Sequence, residues 1–467
     1  MRVGWSLRRS VVATAALAVL TATAACTSTE QEPPAAEPTP SSSSSSSPTQ
    51  DAVVLAVYGP DEVTDVYRSL AATWTSQHPD RPVRVKAYAD HAEAMSALVR
   101  LRSEGKAPDL FLAGREDLAD LMQTKAVRRV DDLLAQRQVD FGDGFNRTGL
   151  EAFSDQAALQ CMPVDVSPLV VYYNPKLIEL DEIAEPGRRP ITQERGWTLE
   201  EFARAAEQPR RPGVRGLYVE PQLDQVAPFV FSGGGEVVDD TADPTTLTLS
   251  DDASRDALEQ LLEVVRNPAL TFGQDAIAKR SALQRFEEGK LGMLLGYRDL
   301  TAELRTRPSL TFDVMPLPSL GSGATVARIT GACLSADSDQ QDTAADFLAT
   351  MISQESQDAL AATGFTMPAN LASLNDEAFL QTGQRPLHSQ VFVREVRDIE
   401  LLPSTTRWVD VLQVAGAQLT DLFDEPVIDP LEERLTALDA ASVPLLDPDA
   451  DPSQQPTPSD PSSSSTP

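Results

Sequence analysis

Two apolar periods alternate along the first folded stretch of the chain. Val53-Val54-Leu55-Ala56-Val57 is a short unbroken apolar run, which suits a buried strand. A Gly59-Pro60 turn follows. Val63, Val66, Tyr67, Leu70 and Trp74 then recur at helical spacing and mark one face of an amphipathic helix. From Pro82 to Tyr88, Val83, Val85 and Ala87 alternate, which predicts a second strand. Met95, Leu98, Val99 and Leu101 mark a second helix. Pro108 to Leu112 reads as a third strand, and Leu118, Leu121 and Met122 open the next helix. Strand and helix in this order predict a parallel α/β sheet with helices on both faces.

The middle of the chain repeats the grammar. Ala158 to Tyr173 is apolar and β-prone, interrupted by Pro163 and Pro168. Proline disfavours the interior of a central strand, so the two predict bends, as in a strand that passes between lobes. Thr198 and Glu201 stand at capping-box spacing, where a helix starts. Gly233-Gly234-Gly235 interrupts the chain after Phe229-Val230-Phe231. Phe286 to Lys290 precedes the apolar run Leu291 to Leu295. Thr343 to Leu360 reads as one helix, burying Phe347, Leu348, Met351 and Ile352.

The ends differ from the body. Arg2, Arg8 and Arg9 precede an apolar run from Val11 to Leu20, and small residues lead to Cys26. That is the layout of an export signal, and the run is shorter than the roughly 20 residues of a membrane span. Thr23-Ala24-Ala25-Cys26 resembles a bacterial lipobox, with Thr23 where Leu is usual. Residues 1–26 are therefore expected to be a lipoprotein signal ending at a lipidated Cys26. Residues 27–52, rich in Ser, Pro, Thr and Glu, have nothing to bury and read as a disordered tether. Residues 446–467 read as a disordered acidic, Ser- and Pro-rich tail.

Composition narrows the function. At 41% hydrophobic and 23% charged, the 467-residue chain can build a core of two or three folded units. A formal net charge of −31 repels phosphate backbones, so no nucleic-acid partner is expected. Neither Gly-x-Ser-x-Gly nor His-Glu-x-x-His occurs, and no Cys/His spacing suits zinc. No enzyme activity, metal or cofactor is expected. Outside the cytoplasm, Cys161 and Cys333 invite a disulfide, though spacing alone does not establish the pair.

Several segments resemble the family-1 extracellular solute-binding proteins, which include maltose- and multiple-sugar-binding proteins. Pro163 to Asn174 resembles their inter-lobe segment ending in Tyr-Tyr-Asn, and Gly196 to Phe202 their Trp-Thr-x-x-Glu-Phe helix start. Phe286 to Met293 resembles the Phe…Gly-Lys…Met segment. Thr330 to Ser335 is similar to the returning hinge strand, and Gly364 to Asn370 to a late Gly-x-x-Pro-x-Asn turn. The resemblance spans about residues 53–425.

It implies a two-lobed type II periplasmic-binding-protein fold with hinge strands joining two α/β lobes. The expected N-terminal lobe is 53–165 and 333–372; the C-terminal lobe is 166–332 and 373–445. It implies a cleft that closes on a small polar ligand, a carbohydrate first and a non-sugar or anionic solute second. It also implies delivery to an ABC permease by an exported, lipid-anchored monomer, or, in the alternative, a ligand sensor. It places Cys161 and Cys333 on adjoining hinge strands and so implies their disulfide, with Cα atoms within roughly 7 Å. The ligand contacts it suggests are Tyr58, Asp61, Glu62, Arg115, Asp165, Ser167, Gly234, Tyr297, Arg298 and Trp408. Tyr297 and Arg298 stand where sugar binders usually carry a tryptophan, a departure that also suits an anionic ligand.

Overall fold

The computed structural model describes residues 51–183, 189–209, 211–425 and 430–447. Cys26, the 1–26 leader, the tether up to residue 50 and the tail from residue 448 lie outside them.

Strand β1 (Val53–Tyr58), helix α1 (Asp61–Gln77), β2 (Val83–Tyr88), α2 (His91–Ser103) and β3 (Leu110–Gly114) follow the expected alternation. β1 lies between β2 and β3 and is parallel to both. Parallel neighbours cannot be joined by a tight hairpin and need a crossover, which α1 and α2 supply here. Beyond β3 comes a strand from far along the chain, Ala327–Ser335, antiparallel to β3. Its last two residues also pair with β4 (Val127–Arg128).

Ala327–Ser335 is the return strand. Its other edge pairs with the crossing strand Cys161–Pro168, also antiparallel, over most of its length. After Leu169 the chain enters the second sheet as Val170–Tyr173. That sheet runs in the order Asp313–Met315, Val170–Tyr173, Leu291–Gly296, Arg215–Tyr218. Side chains of Val170–Tyr173 alternate in the manner of a strand buried on both faces. Val170 and Tyr172 join one apolar core, Val171 and Tyr173 the other. The result is the two-lobed α/β type II fold, with two strands bridging the lobes.

The disulfide is present. Cys161 and Cys333 face each other across the bridging pair with Cα atoms 4.3 Å apart, inside the expected limit. Thr198 and Glu201 form the expected capping box. One expectation needs correction. The helix read from Thr343 to Leu360 is two helices, Gln341–Met351 and Gln354–Ala361. Ser353 lies between them in an extended conformation, and its hydroxyl accepts from Ser356 N–H. Serine competes for local backbone groups and so starts a new helix where periodicity alone sees continuity.

Candidate functional site

Ligand sites in open α/β sheets lie outside the carboxyl ends of the strands. Here the strand ends of both sheets converge on one cleft. Two adjoining cavities of about 520 and 530 Å³ occupy it, and they share Pro60, Ala89, Tyr297, Asp299, Arg328 and Phe365. Each is in the size range of a small-molecule site. A hollow of about 920 Å³ on the outer surface, beside Asp51, Arg102 and Asp339, is larger but lies off these strand ends.

The first-lobe wall comes from the ends of β1, β2 and β3. Tyr58 ends β1, and the chain turns away at Gly59, whose φ of +121° favours glycine. The His91 ring meets the Tyr58 ring edge-on, with centroids 5.3 Å apart. His91 Nε2 lies 2.7 Å from Asp117 Oδ2, which also accepts from Gly114 N–H at 2.7 Å. That hydrogen bond to Asp117 raises the imidazole pKa above its ordinary value. Glu116 stands exposed beside it, 3.9 Å from His91.

The bridging strands form the floor. Thr330 pairs with Asp165 and Gly331 with Pro163, so Val164 is an extra residue in the ladder. A bulge of this kind re-aims side chains, and here consecutive Val164 and Asp165 both border the cavity. A side chain at Gly331 would collide with the Phe153 ring, which packs against this irregular step. Asp165 Oδ1 accepts from Met367 N–H at 3.0 Å. Burial pushes its carboxyl up to about 7, reinforced by Asp299; Met367 N–H and Arg298 pull the other way. Ser167 Oγ accepts from Arg298 N–H at 2.8 Å.

The second-lobe wall holds Tyr218, Glu220, Tyr297, Asp299 and Glu303. Tyr297 is 4% exposed, and its hydroxyl donates to Asp224 Oδ2 at 3.2 Å. Arg328, from the return strand, lies 4.1 Å over the Tyr297 ring and 3.5 Å from Asp299.

Of the residues expected at the ligand, Tyr58, Asp165, Ser167 and Tyr297 border the cavity. Asp61 and Glu62 lie in the exposed first turn of α1, outside the lining, where carboxylates favour a helix start. Arg115 turns away: its guanidinium donates to the Leu402 carbonyl, and burial lowers its pKa to about 10. Arg298 is 0% exposed. It donates to Phe379 O at 3.0 Å and Ser389 Oγ at 3.2 Å and lies 4.5 Å over the Phe379 ring. It therefore ties segments together beneath the cleft instead of reaching into it. Trp408 is 3% exposed and belongs to the second-lobe core. Gly234 has φ +83° in open space after the helix Leu223–Ser232, away from the cavity.

His91, Glu116, Glu220, Asp299, Glu303 and Arg328 line the cleft but were not anticipated. His91, Glu116, Glu220 and Asp299 follow strand ends, so the rule that marked Tyr58 would have found them. Asp299 was missed by one residue, because a helix starts at Asp299 and successive side chains there point about 100° apart. Arg328 carries no local signal, since its place depends on a strand pairing across the whole chain.

The fold recurs among solved proteins. The sugar-binding protein MalE from Xanthomonas citri superposes with TM-score 0.73 at 15% identity, covering 85% of this chain and 97% of its own. An ABC substrate-binding protein from Listeria monocytogenes in complex with cycloalternan gives 0.70 at 18% identity, covering 84% and 98%. UgpB from Mycobacterium tuberculosis in complex with glycerophosphocholine gives 0.69 at 16% identity, covering 86% and 99%. No curated protein sequence matches the chain. Residues 69–386 match the family described as bacterial extracellular solute-binding protein, more than half of the chain. The chain therefore belongs to the bacterial extracellular solute-binding proteins, a family that binds solutes and does not transform them.

Proposed function

We propose that this protein captures a carbohydrate in the inter-lobe cleft and delivers it to an ABC-type permease from the outer face of the membrane. The carrying observation is the lining. Aromatic rings of Tyr58, Tyr218, Tyr297 and Phe365 stand among carboxylates, around paired cavities of about 520 and 530 Å³. Rings offer flat apolar faces, and carboxylates accept hydrogen bonds from hydroxyls, the two needs of a sugar. The solved protein of the same fold in complex with cycloalternan supports the reading. The bridging strands would carry the closure, and the permease would read the closed form.

A thermal-shift panel of mono- and oligosaccharides tests this. At least one sugar should raise the melting temperature, since a ligand at about 100 times its Kd stabilises by about 2.7 kcal/mol. Phe365→Ala, which removes a half-buried ring from the wall shared by both cavities, should abolish that rise. A rise with glycerophosphodiesters and none with any sugar would reject the carbohydrate.

Anchoring at Cys26 belongs to the same reading, since a tethered capture protein must stay near its permease. Cys26→Ala should move the protein from the membrane fraction to the medium. Retention on the membrane, measured by fractionation, would refute it.

A further inference from the structure

The cleft is far more acidic than the protein around it. The whole chain has 70 acidic residues against 39 Lys and Arg, fewer than two to one. The two cavities are lined by Asp90, Glu116, Asp165, Glu220, Asp299 and Glu303, against Arg328 alone among Lys and Arg. The site is defined by the converging strand ends and the cavities, not by these acids; the acids specify what fits there.

Their pairing is incomplete. Among the described residues, Asp299 pairs with Arg328 and Glu116 approaches His91 at 3.9 Å. Asp90, Asp165, Glu220 and Glu303 form no ion pair within 4.0 Å in that set. Glu116, Glu220 and Glu303 border the cavities and are solvent-exposed, whereas Asp90 caps α2 and Asp299 pairs with Arg328. Asp90 and Glu116 lie on the first-lobe wall, Glu220 and Glu303 on the second. Closure brings like charges together, and a bound cation relieves that repulsion.

Arg328 shows how a cation is accommodated in this lining. Its guanidinium lies 4.1 Å over the Tyr297 ring and beside Asp299, the arrangement of a cation on an aromatic face with a carboxylate partner. The cleft thus already holds one positive group on its tyrosine wall.

We infer that the ligand carries a positive charge, as an amino sugar does, and that its ammonium meets the exposed carboxylates Glu220 and Glu303, which line the same cavity on the second-lobe wall. This rests on the carbohydrate reading for the hydroxyl-bearing part and adds the charge. An anionic ligand is disfavoured by the same lining.

Calorimetry on the full chain with matched probes tests it: glucosamine against glucose and N-acetylglucosamine, the deacetylated against the acetylated chitin disaccharide, and spermidine. The amino form should bind at least about tenfold tighter than its neutral or acetylated partner at about 50 mM salt, with the gap narrowing at about 300 mM. Glu220→Gln, at an exposed position that leaves the core intact, should narrow it too, with the melting temperature unchanged. Equal or tighter binding of the neutral or acetylated forms overturns the charge inference and leaves the carbohydrate reading standing. Binding of spermidine with no sugar bound upholds the charge inference and rejects the carbohydrate. Binding of none of the amino-bearing probes overturns the charge inference, while the carbohydrate reading stands or falls on the oligosaccharide thermal-shift panel.

Discussion

At one end of the bridging pair, Cys161, Met162, Ala332, Cys333 and Leu334 are 0% exposed and the disulfide joins the two strands. At the other end, Asp165, Ser167, Arg328 and Thr330 border the cleft, and the ladder is broken by the bulge at Val164. The same two strands therefore do different work along their length. The covalent end fixes the ribbon in the first lobe, packed among Phe111, Leu112 and Phe153. The irregular end presents polar side chains to the cavity and then enters the second lobe through Leu169. A hinge needs both: a stiff root, and a few element-terminal residues able to absorb a change in φ and ψ.

The sharpest way to break that contrast is to remove the disulfide. The double variant Cys161→Ala, Cys333→Ala opens a closed loop with a sequence separation of 172. Native disulfides commonly contribute about 2–5 kcal/mol, chiefly by restricting the unfolded chain. A loss of that size should appear in denaturant unfolding, while ligand affinity measured on the folded protein stays within about twofold. If affinity falls in step with stability, the two ends of the bridging pair are not separable.

The sequence made much of the fold legible because each strand and helix carries its own period. The bridging strands were readable for a different reason: Pro163 and Pro168 mark where a ladder cannot continue regularly, and they flank the residues that turn to the cleft. On the first-lobe side Tyr58 was readable as a residue bordering the cavity, because the residue that ends a parallel strand has a known place. Arg298 and Trp408 misled because their chemistry suits a ligand while their burial is set by tertiary packing. Arg298 carries a charge that sequence assigns to the surface, yet it sits against Phe379 and Phe392 with carbonyl and hydroxyl partners. Burial of a charge is costly unless its donors are met; here the two terminal nitrogens find partners 81 and 91 positions downstream, while Nε has none among the described residues. No local pattern announces such a match. Arg328 escaped for the converse reason: its strand was recognised only from Thr330, and Arg328, the strand's second residue, lies just outside that motif.

A smaller effect sharpens the comparison at the cleft end. Burial pushes the Asp165 carboxyl to about 7, from an ordinary value of 3.8, so the folded protein binds this proton more tightly than the unfolded chain. Stability from this group is thus fully present below about pH 4, is lost as pH rises toward 7, and is flat above. The variant Asp165→Asn cannot ionise yet keeps an oxygen for Met367 N–H, which the native carboxylate accepts at 3.0 Å. Relative to that variant, the native protein should lose about 2 kcal/mol between about pH 4 and pH 8, less than the full shift implies because one side faces the open cavity. Unfolding curves at a series of pH values measure it. A difference between the two proteins that does not change with pH would mean that Asp165 is ionised throughout, with water reaching the floor of the cleft as freely as the walls. The bulge would then be open to solvent in the folded state, and the polar end of the hinge would owe its character to hydration and not to the packing of the two strands.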